Sequence, residues 1–350
     1  MTSTEFSIST RPRTSGRPQR TKKKRHSRNP KAKPFPPERA PQRGVFFGTS
    51  EFAVPVLRAF ARTLECVLVV TQPARPAGRG QRLMPATVEL AARELGLEVY
   101  TPERLRDGLV RLADAGADLF AVASYGKIVP QSILDLPRLG ALNVHPSLLP
   151  LYRGATPLQS QLRDGVRESG VSVIWMDAGM DTGDLVLQER SAIGSHETYG
   201  ELHERFAHLG ADLLARATRQ TLAGTLERIP QAHLADEARV AATLTRPLTK
   251  ADLEVDWNWP AARIANHVRS LAPSPAARAE LAGERVKLLS VTPGRDALFE
   301  RSLPAGTLLG PRGSAALVRC GDGVVAVERL IPPNRAAVEG ARFVQMQLRA

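Results

Sequence analysis

The sequence predicts an α/β protein with a doubly wound, mostly parallel, Rossmann-like sheet, followed by a smaller β-barrel domain. Three observations lead to this fold class. Apolar strand-like segments alternate with helical segments from Gly44 onward, the first segment runs into a tight turn at Gly48, and beyond Pro230 short β-like segments separated by Gly and Pro take over. Alternating strands and helices are typical of parallel sheets. Short, regularly spaced strands are typical of barrels.

The elements of the first domain are predicted from their apolar patterns. Residues 71–85 carry Gly and Pro between charges and are expected to form a long loop. Apolar residues recur with helical spacing in residues 198–222, and Gly224 ends that helix. Strands are expected at residues 44–47, 66–70, 98–100, 118–123, 142–145 and 171–176, and helices at 52–64, 86–95, 103–115 and 198–222.

Four segments are expected along the chain. Residues 1–43 form a basic, disordered extension, residues 44–235 the first domain, residues 236–245 a linker, and residues 246–350 the second domain. Within the second domain, strands are expected at residues 285–292, 315–319 and 323–330.

The positive charge is distributed unevenly along the chain. The net charge of +13 divides into +11 for residues 1–43, −3 for residues 44–245 and +5 for residues 246–350. The extension has little apolar surface to bury and repels itself. It is either an ordinary solvated segment or an arm that attracts RNA through salt-sensitive contacts. Both interpretations stay open.

Composition excludes several classes of protein. No apolar run approaches the roughly 20 residues of a membrane span, and the start of the chain has no apolar segment of the kind found in secretory signals. The two cysteines, Cys66 and Cys320, support neither a disulfide framework nor a cysteine-rich zinc site. We expect a cytoplasmic protein, with the matrix of an organelle as the alternative.

Two polar segments carry the chemistry. Residues 142–157 read LNVHPSLLPLYRGATP, in which Asn143 and His145 lie two apart at the end of a strand and share one face. Residues 176–184 read MDAGMDTGD, a Gly-hinged loop that follows the end of another strand. In doubly wound sheets, ligands bind beyond the carboxyl ends of the strands. We therefore expect the two segments to form one cleft.

An amide, an imidazole and a carboxylate together suit acyl transfer to an amine. Asn143 could donate to the oxyanion of a tetrahedral intermediate. His145 could move the protons that the attacking amine loses and the leaving nitrogen gains. A carboxylate such as Asp181 could hold the imidazole in one tautomer. Taken alone, these residues indicate only an acid–base site at a strand end, because a strand-end histidine is often structural.

The two segments closely resemble the formyltransferase domain shared by enzymes that use 10-formyltetrahydrofolate. The resemblance implies that Asn143, His145 and Asp181 are catalytic. It also implies that two segments and one acidic residue form the folate site. The first segment is the SLLP loop of Ser147, Leu148, Leu149 and Pro150. The second segment, SYGKIVP, contributes Tyr125, Gly126 and Ile128, and the acidic residue is Asp177. The folate is then the formyl donor, and no metal is needed.

Other segments resemble the methionyl-tRNA formyltransferase branch of that family. They are FGTSEFAVPVL at residues 47–57 and TQPARPAGRGQRLMP at residues 71–85. The resemblance implies that Arg75, Arg79 and Arg82 of the basic loop bind the acceptor end of tRNA, a role that suits the planar guanidinium. Residues 244–271 resemble the start of that branch's OB-like, tRNA-binding barrel. The implied partners are initiator methionyl-tRNA and folate. The protein is expected to be a monomer and to bind no membrane.

The resemblance also has departures, and it leaves alternatives. Residues 272–275 read APSP where the family has N-P-W-P, and residues 332–335 read PPNR where it has a Gly-Lys-rich turn. A formyltransferase for a small amine, or a hydrolase that releases formate, would share the three catalytic residues but leave the basic loop unexplained. An RNA-binding protein with a degenerate site would not keep all three. A dehydrogenase is disfavoured because the first turn lacks G-x-G-x-x-G.

Overall fold

The computed structural model describes residues 42–77, 80, 82–294 and 302–349. The predicted extension, residues 1–43, therefore lies outside the described residues except for its last two. In the first domain, the strands are β1 (Arg43–Gly48), β2 (Glu65–Val70), β3 (Arg75–Ala77), β4 (Arg82–Met84), β5 (Val99–Tyr100), β6 (Leu119–Ala123), β7 (Ala141–His145), β8 (Glu168–Trp175) and β9 (Leu185–Ala192).

Seven helices accompany these strands and the segment that follows them. They are α1 (Ala53–Ala61), α2 (Thr87–Glu94), α3 (Leu109–Asp114), α4 (Gln131–Leu134), α5 (Pro157–Arg163), α6 (Tyr199–Ala223) and α7 (Glu237–Ala242). Two single turns of 3₁₀ helix lie at Leu105–Gly108 and Gln231–His233.

The predicted sheet is present, with the strand order β5-β2-β1-β6-β7-β8-β9. The first five strands in that order are parallel to one another. Their side chains are buried on both faces: in β1, Phe46 packs in one core beneath α1 and α6, while Val45 and Phe47 pack in a second core on the other face. This explains why β1 is apolar from Gly44 to Gly48 instead of alternating with polar residues.

The last two strands differ from the prediction, because β8 and β9 run antiparallel to their neighbours. The sequence analysis assigned residues 171–176 to the same parallel series, and that assignment is wrong. Between β7 and β8 the chain forms α5, whose seven residues span only about 10 Å. A five-residue strand is about 17 Å long. The helix is thus shorter than the strand, and the chain re-enters the sheet at the end where β7 stops, with Ser172 of β8 paired to His145.

The longest helix, α6, covers one face of the sheet and confirms the predicted helix at residues 198–222. The Thr198 side chain accepts from the backbone N–H of Glu201, and the Glu201 side chain accepts from the backbone of Thr198, which forms a capping box. Gly224 ends the helix with φ of 70°, a left-handed conformation that glycine adopts without strain. The helix packs on α1, β8 and β9, and so closes the first core.

Residues 71–85, predicted as a loop, contain a short hairpin. Strands β3 and β4 pair antiparallel, with Arg75 opposite Met84 and Ala77 opposite Arg82. We call this segment, residues 75–84, the basic hairpin. It forms a two-stranded sheet of its own, separate from the main sheet.

The C-terminal domain is an antiparallel sheet packed with two helices. Its strand order is β10-β11-β14-β13-β12, with β15 paired to β14. Its core lies between this sheet and α8. The elements are β10 (Ala277–Leu281), β11 (Glu284–Pro293), β12 (Leu308–Arg312), β13 (Ala315–Cys320), β14 (Gly323–Ile331), β15 (Val338–Glu339), α8 (Ala261–Leu271), α9 (Gly340–Gln347) and the 3₁₀ turn Ala251–Leu253.

The segment between the two sheets packs back onto the first domain. The Thr245 backbone N–H donates to the Arg153 carbonyl at 2.8 Å, and the Thr156 backbone N–H donates to Thr245 Oγ1 at 3.1 Å. Arg269 of α8 donates to the carbonyls of Gly194 and other residues of the first domain. The chain beyond α6 therefore supports the loop that follows β7. Over the residues described, none of the helices combines the length and the apolar character of a membrane span.

Candidate active site

A cleft of about 530 Å³ lies over β7 and is lined by half of the predicted site residues. Its walls come from the turns after β1 and β6, the loop after β7, the loop between β8 and β9, and the start of α6. The predicted residues that line it are Tyr125, Gly126, Ile128, Asn143, His145, Asp177 and Asp181.

Asn143, His145 and Asp181 form one contact cluster, which we call the polar trio. Asn143 Nδ2 donates to Asp181 Oδ1 at 3.4 Å. His145 Nδ1 lies 3.5 Å from Asp181 Oδ2. The carboxylate thus faces the amide with one oxygen and the imidazole with the other. Because β8 is antiparallel, its end lies beside the start of β7, and the loop that carries Asp181 has to fold back across the sheet to reach the end of β7.

The imidazole of His145 is held from both sides. The side chain is only 4 % exposed, and Nε2 lies 2.9 Å from the carbonyl oxygen of Tyr152. Because a carbonyl can only accept, Nε2 carries a proton in this contact. Nδ1 then faces Asp181. The sequence analysis assigned the orientation of the ring to Asp181 alone, and the structure adds the Tyr152 carbonyl as a second partner.

Asp181 itself sits in an uncommon backbone conformation. Its φ is 56°, in the left-handed region that residues with a side chain adopt at a cost. Its Oδ2 accepts from the backbone N–H of Gly154 at 2.9 Å. Its backbone carbonyl accepts from the Gln231 side chain at 2.9 Å. The loop after β7 and the segment after β9 and α6 therefore both contribute to its placement.

The SLLP loop lies behind the cleft and not on its surface. Ser147 is fully buried, and its hydroxyl donates to the Leu151 carbonyl at 2.7 Å. Leu149 packs with Ile174 and Leu185 in a small core. None of residues 147–150 is among those that line the cleft. Their role in a folate site stays a prediction, and in the structure they support the wall from beneath.

The turn after β6 presents its backbone and an apolar side chain to the cleft. Ile128 is 85 % exposed. Tyr125 points inward instead, with its ring 5.7 Å from that of Phe47, and burial raises the pKa of its phenol to about 12. Gly126 has φ of 75°, and a side chain there would meet the amide of Gln72. The strip named by the resemblance thus lines the cleft, though not through the tyrosine hydroxyl.

Asp177 shapes the loop that carries Asp181. Its Oδ1 accepts from the backbone N–H of Gly179 at 3.0 Å and from the hydroxyl of Thr182 at 2.8 Å. The side chain is exposed and lines the cleft. The Asp177 carboxylate therefore holds the turn of the loop together, and the same side chain faces the cleft where a ligand would lie.

The basic hairpin lies at the surface. Arg75 and Arg82 are both exposed, and Arg79 lies outside the described residues. Arg75 Nη2 donates to Gln72 Oε1 at 2.5 Å, and Gln72 Nε2 donates to the Tyr125 carbonyl at 2.7 Å. Through Gln72, the base of the hairpin is joined to the turn that lines the cleft.

Three aromatic residues that the sequence analysis did not single out form one wall of the cleft. They are Phe52, Tyr199 and His203. The His203 ring lies 5.5 Å from Phe52 and 5.4 Å from Tyr199. Burial lowers the pKa of His203, which favours the neutral ring. The signal in the sequence is the position of Tyr199 and His203 on the first turns of α6, on the side that faces Phe52 after β1.

Comparison with known proteins assigns the family. Residues 42–218 match the family model "Formyl transferase", and residues 247–348 match "Formyl transferase, C-terminal domain". The chain is 40 % identical over 315 residues to the methionyl-tRNA formyltransferase of Xylella fastidiosa (strain M23), covering 87 % of this chain and 99 % of that protein. It is 41 % identical over 303 residues to that of Xanthomonas axonopodis pv. citri (strain 306), covering 86 % and 96 %.

The chain belongs to the methionyl-tRNA formyltransferase family. The resemblance inferred from the motifs is confirmed.

Solved structures agree with this formyltransferase at the level of the fold. The N-formyltransferase from Helicobacter canadensis, in complex with folinic acid and dTDP-3-aminofucose, matches with a TM-score of 0.60 at 16 % identity, covering 82 % of this chain and 98 % of that one. HypX from Aquifex aeolicus, in complex with tetrahydrofolic acid, matches with a TM-score of 0.57 at 17 % identity, covering 89 % of this chain but only 48 % of HypX.

Proposed function

We propose that the chain transfers the formyl group of 10-formyltetrahydrofolate to the α-amino group of methionyl-initiator-tRNA, giving N-formylmethionyl-tRNA for translation initiation. The observation that carries the proposal is the polar trio, assembled in the cleft of a chain of this family. Asn143 and His145 come from β7 and Asp181 from the loop between β8 and β9, and an amide, an imidazole and a carboxylate together suit acyl transfer to an amine.

The reaction makes one C–N bond and breaks another. The neutral α-amine attacks the formyl carbon, the C–N bond forms, and the carbonyl oxygen gains negative charge. Asn143 uses one N–H on Asp181, and its other N–H is available to donate to that oxygen. The bond from the formyl carbon to N10 then breaks. The amine loses a proton and N10 gains one, with His145 and Asp181 as the groups that relay it.

The donor folate is a substrate, and the cleft suits its shape and polarity. Along one side the cleft presents Ile128, Ile174 and Met176, which can pack on a flat ring. The polar edge of a pterin could meet the backbone of the turn at Gly126 and the Asp177 carboxylate. Tyr125 and residues 147–150 would act from behind this wall. A direct test is protection of these segments by folinic acid in hydrogen exchange.

The aromatic wall of Phe52, Tyr199 and His203 suits the side chain of methionine. Phe52, Tyr199 and His203 offer ring edges and faces, and a thioether gains about 0.3–1.5 kcal/mol from such contacts. The neutral state of His203 keeps the wall free of charge at neutral pH. An unbranched apolar side chain fits this surface better than a charged one would.

The tRNA is proposed to be held by the basic hairpin and the C-terminal domain. Arg75 and Arg82, together with Arg79, would contact phosphates and bases of the acceptor end. The C-terminal domain is proposed to be OB-like, although its described sheet is open, with β10 and β12 at its two edges. The proposed domain limits are residues 44–235, 236–245 and 246–350. The apolar cores support these limits. Both cores of the first domain lie before residue 227, and the core of the C-terminal domain lies after residue 247. The enzyme is proposed to act as a cytoplasmic monomer.

The experiment measures formyl transfer to charged initiator tRNA beside free methionine. We expect product with methionyl-tRNA, none with free methionine, and a rate that rises with pH as the amine loses its proton, since α-amines titrate near pH 7.7–8.0. Equal transfer to free methionine or to an amino sugar nucleotide would show that methionyl-tRNA is not the specific substrate. A rate independent of pH between about 6 and 8 would exclude a titrating amine or imidazole from the slow step.

A further inference from the structure

One buried side chain outside the polar trio joins two loops of the active site. Gln231 opens the 3₁₀ turn Gln231–His233 and is 3 % exposed. It lies between the two matched family segments, which end at residue 218 and resume at residue 247. Neither the motifs nor the family models single it out.

The Gln231 amide uses both of its ends. Nε2 donates to the carbonyl of Asp181 at 2.9 Å and to that of Gly183 at 2.6 Å. Oε1 accepts from Arg153 Nε at 3.3 Å and from Arg153 Nη2 at 2.7 Å. With carbonyls on one side and a guanidinium on the other, only one orientation of the amide satisfies every partner.

Both loops that Gln231 joins determine where the Asp181 carboxylate lies. One loop carries Asp181 itself in its left-handed conformation, and Gln231 binds the carbonyl of that residue. The other loop carries Arg153, and the next residue, Gly154, donates its N–H to Asp181 Oδ2. The chain just before Gln231 is anchored too, because Ile229 and Leu185 exchange two backbone hydrogen bonds of 2.8 Å.

We infer that Gln231 is a positioning residue for formyl transfer, which acts by holding Asp181 against Asn143 and His145. The inference rests on the proposed function. Gln231 does not touch the substrates; it fixes the left-handed turn at Asp181 and the distance to the loop of Arg153. A displacement of about 1 Å at a catalytic group can cost about 100-fold in rate.

Two substitutions separate the parts of this arrangement. Gln231→Met keeps the length of the side chain and removes every hydrogen bond. Gln231→Glu keeps an acceptor for Arg153 but cannot donate to the carbonyls of Asp181 and Gly183. We expect kcat to fall about 10- to 100-fold in both variants. We expect the KM values for methionyl-tRNA and for the formyl donor to stay within about threefold, because the cleft walls are unchanged.

A double-mutant cycle with Asp181→Asn distinguishes positioning from general stability. If Gln231 acts through the Asp181 carboxylate, Gln231→Met changes kcat less than about twofold in the Asp181→Asn background. If Gln231 only stabilises the fold, Gln231→Met lowers kcat by the same factor in both backgrounds. That second result would overturn the inference.

Gln161→Met is the matched control. Gln161 is also a buried glutamine, 1 % exposed, and its Nε2 donates to the carbonyls of Pro146 and Pro157. Its described bonds do not reach Asp181. We expect this variant to lose thermal stability comparably, but its effect on kcat should multiply with that of Asp181→Asn instead of disappearing.

The outcomes also distinguish this inference from the proposed function. If the wild type does not formylate methionyl-tRNA, the proposed function fails, and the same cycle is then read from formate released by 10-formyltetrahydrofolate. If the wild type formylates methionyl-tRNA and Gln231→Met and Gln231→Glu do so with unchanged kcat, the inference fails alone. A lowered kcat that disappears in the Asp181→Asn background supports it.

Discussion

The polar trio and the basic hairpin differ in what holds their side chains. His145 is buried, and its two ring nitrogens face Tyr152 and Asp181. Arg75 and Arg82 are exposed on a two-stranded hairpin outside the main sheet. The proposed chemistry would thus be specified by contacts that the protein makes with itself, whereas the proposed recognition of tRNA would rely on charge at the surface. Damage to the first region should appear in rate, and damage to the second in affinity and its dependence on salt.

The largest expected effect comes from removing the proposed oxyanion donor. Asn143→Ala should lower kcat by about 100- to 1,000-fold, the usual cost of losing one such donor. The dissociation constant for tRNA should not change, because Asn143 lies within the cleft and away from the hairpin. Steady-state rates and a tRNA titration measure the two quantities. A weakened tRNA complex with unchanged kcat would break the comparison.

A smaller effect is expected at the hairpin. Arg82→Ala should weaken tRNA binding several-fold at physiological salt and reduce the slope of log K against log [salt] by about 0.7–0.9, the loss of one phosphate contact. The rate at saturating tRNA should be unchanged. Binding is measured by filter retention at several salt concentrations.

The control for Arg82 is Arg216→Ala. Arg216 is an exposed arginine of α6, paired with Glu189 at 3.1 Å, and its loss should leave the salt slope as it is. An equal change of slope in both variants would show that the hairpin has no special part in binding.

The smallest effect concerns a second buried imidazole that has no catalytic partner. Burial beside Trp259 in the C-terminal domain, with help from the charge of Arg163, lowers the pKa of His267 to about 4. Protons therefore bind the unfolded chain more readily than the folded one between pH 6.5 and about 4. The contribution of His267 to the free energy of unfolding is fully present above about pH 6.5 and is lost as the pH falls towards 4. Between pH 7 and 5.5 the loss should be about 1 kcal/mol.

His267→Phe tests this effect, because it keeps an aromatic ring and removes the titration. Urea unfolding at pH 7 and pH 5.5 should show the wild type losing about 1 kcal/mol more than the variant. The formylation rate at pH 7 should be unaffected. An identical acid sensitivity in both proteins would show that His267 is not the group responsible.

The sequence predicted the parts of the site that depend on local spacing. Asn143 and His145 share a face because they are two apart on a strand, and the resemblance assigned the catalytic carboxylate to Asp181, 36 positions after His145. The residues that hold Asp181 could not be predicted in this way. Gln231 reaches it where the chain after α6 returns beside β9 and Ile229 pairs with Leu185, and no local pattern records that contact.

The fold shows the same division. The parallel strands and the long helix α6 follow from apolar runs and from a capping box, which are local signals. The reversal of β8 depends on where the chain re-enters the sheet after α5, and α5 was itself missed because only seven residues form it. The strand β10, with the sequence ARAEL, carries two charges in five residues and has little apolar signal. Its place in the sheet comes from pairing with β11.

The most direct test of the account measures rate and affinity together in single-turnover formylation. Wild type, Asn143→Ala and Arg82→Ala are compared at low and high salt, with enzyme in excess over methionyl-tRNA. The account predicts that Asn143→Ala lowers the rate constant at saturation and leaves the half-saturating concentration unchanged, whereas Arg82→Ala raises that concentration and leaves the rate constant unchanged. If both quantities change together in both variants, chemistry and recognition are not separate in this protein, and the account is contradicted.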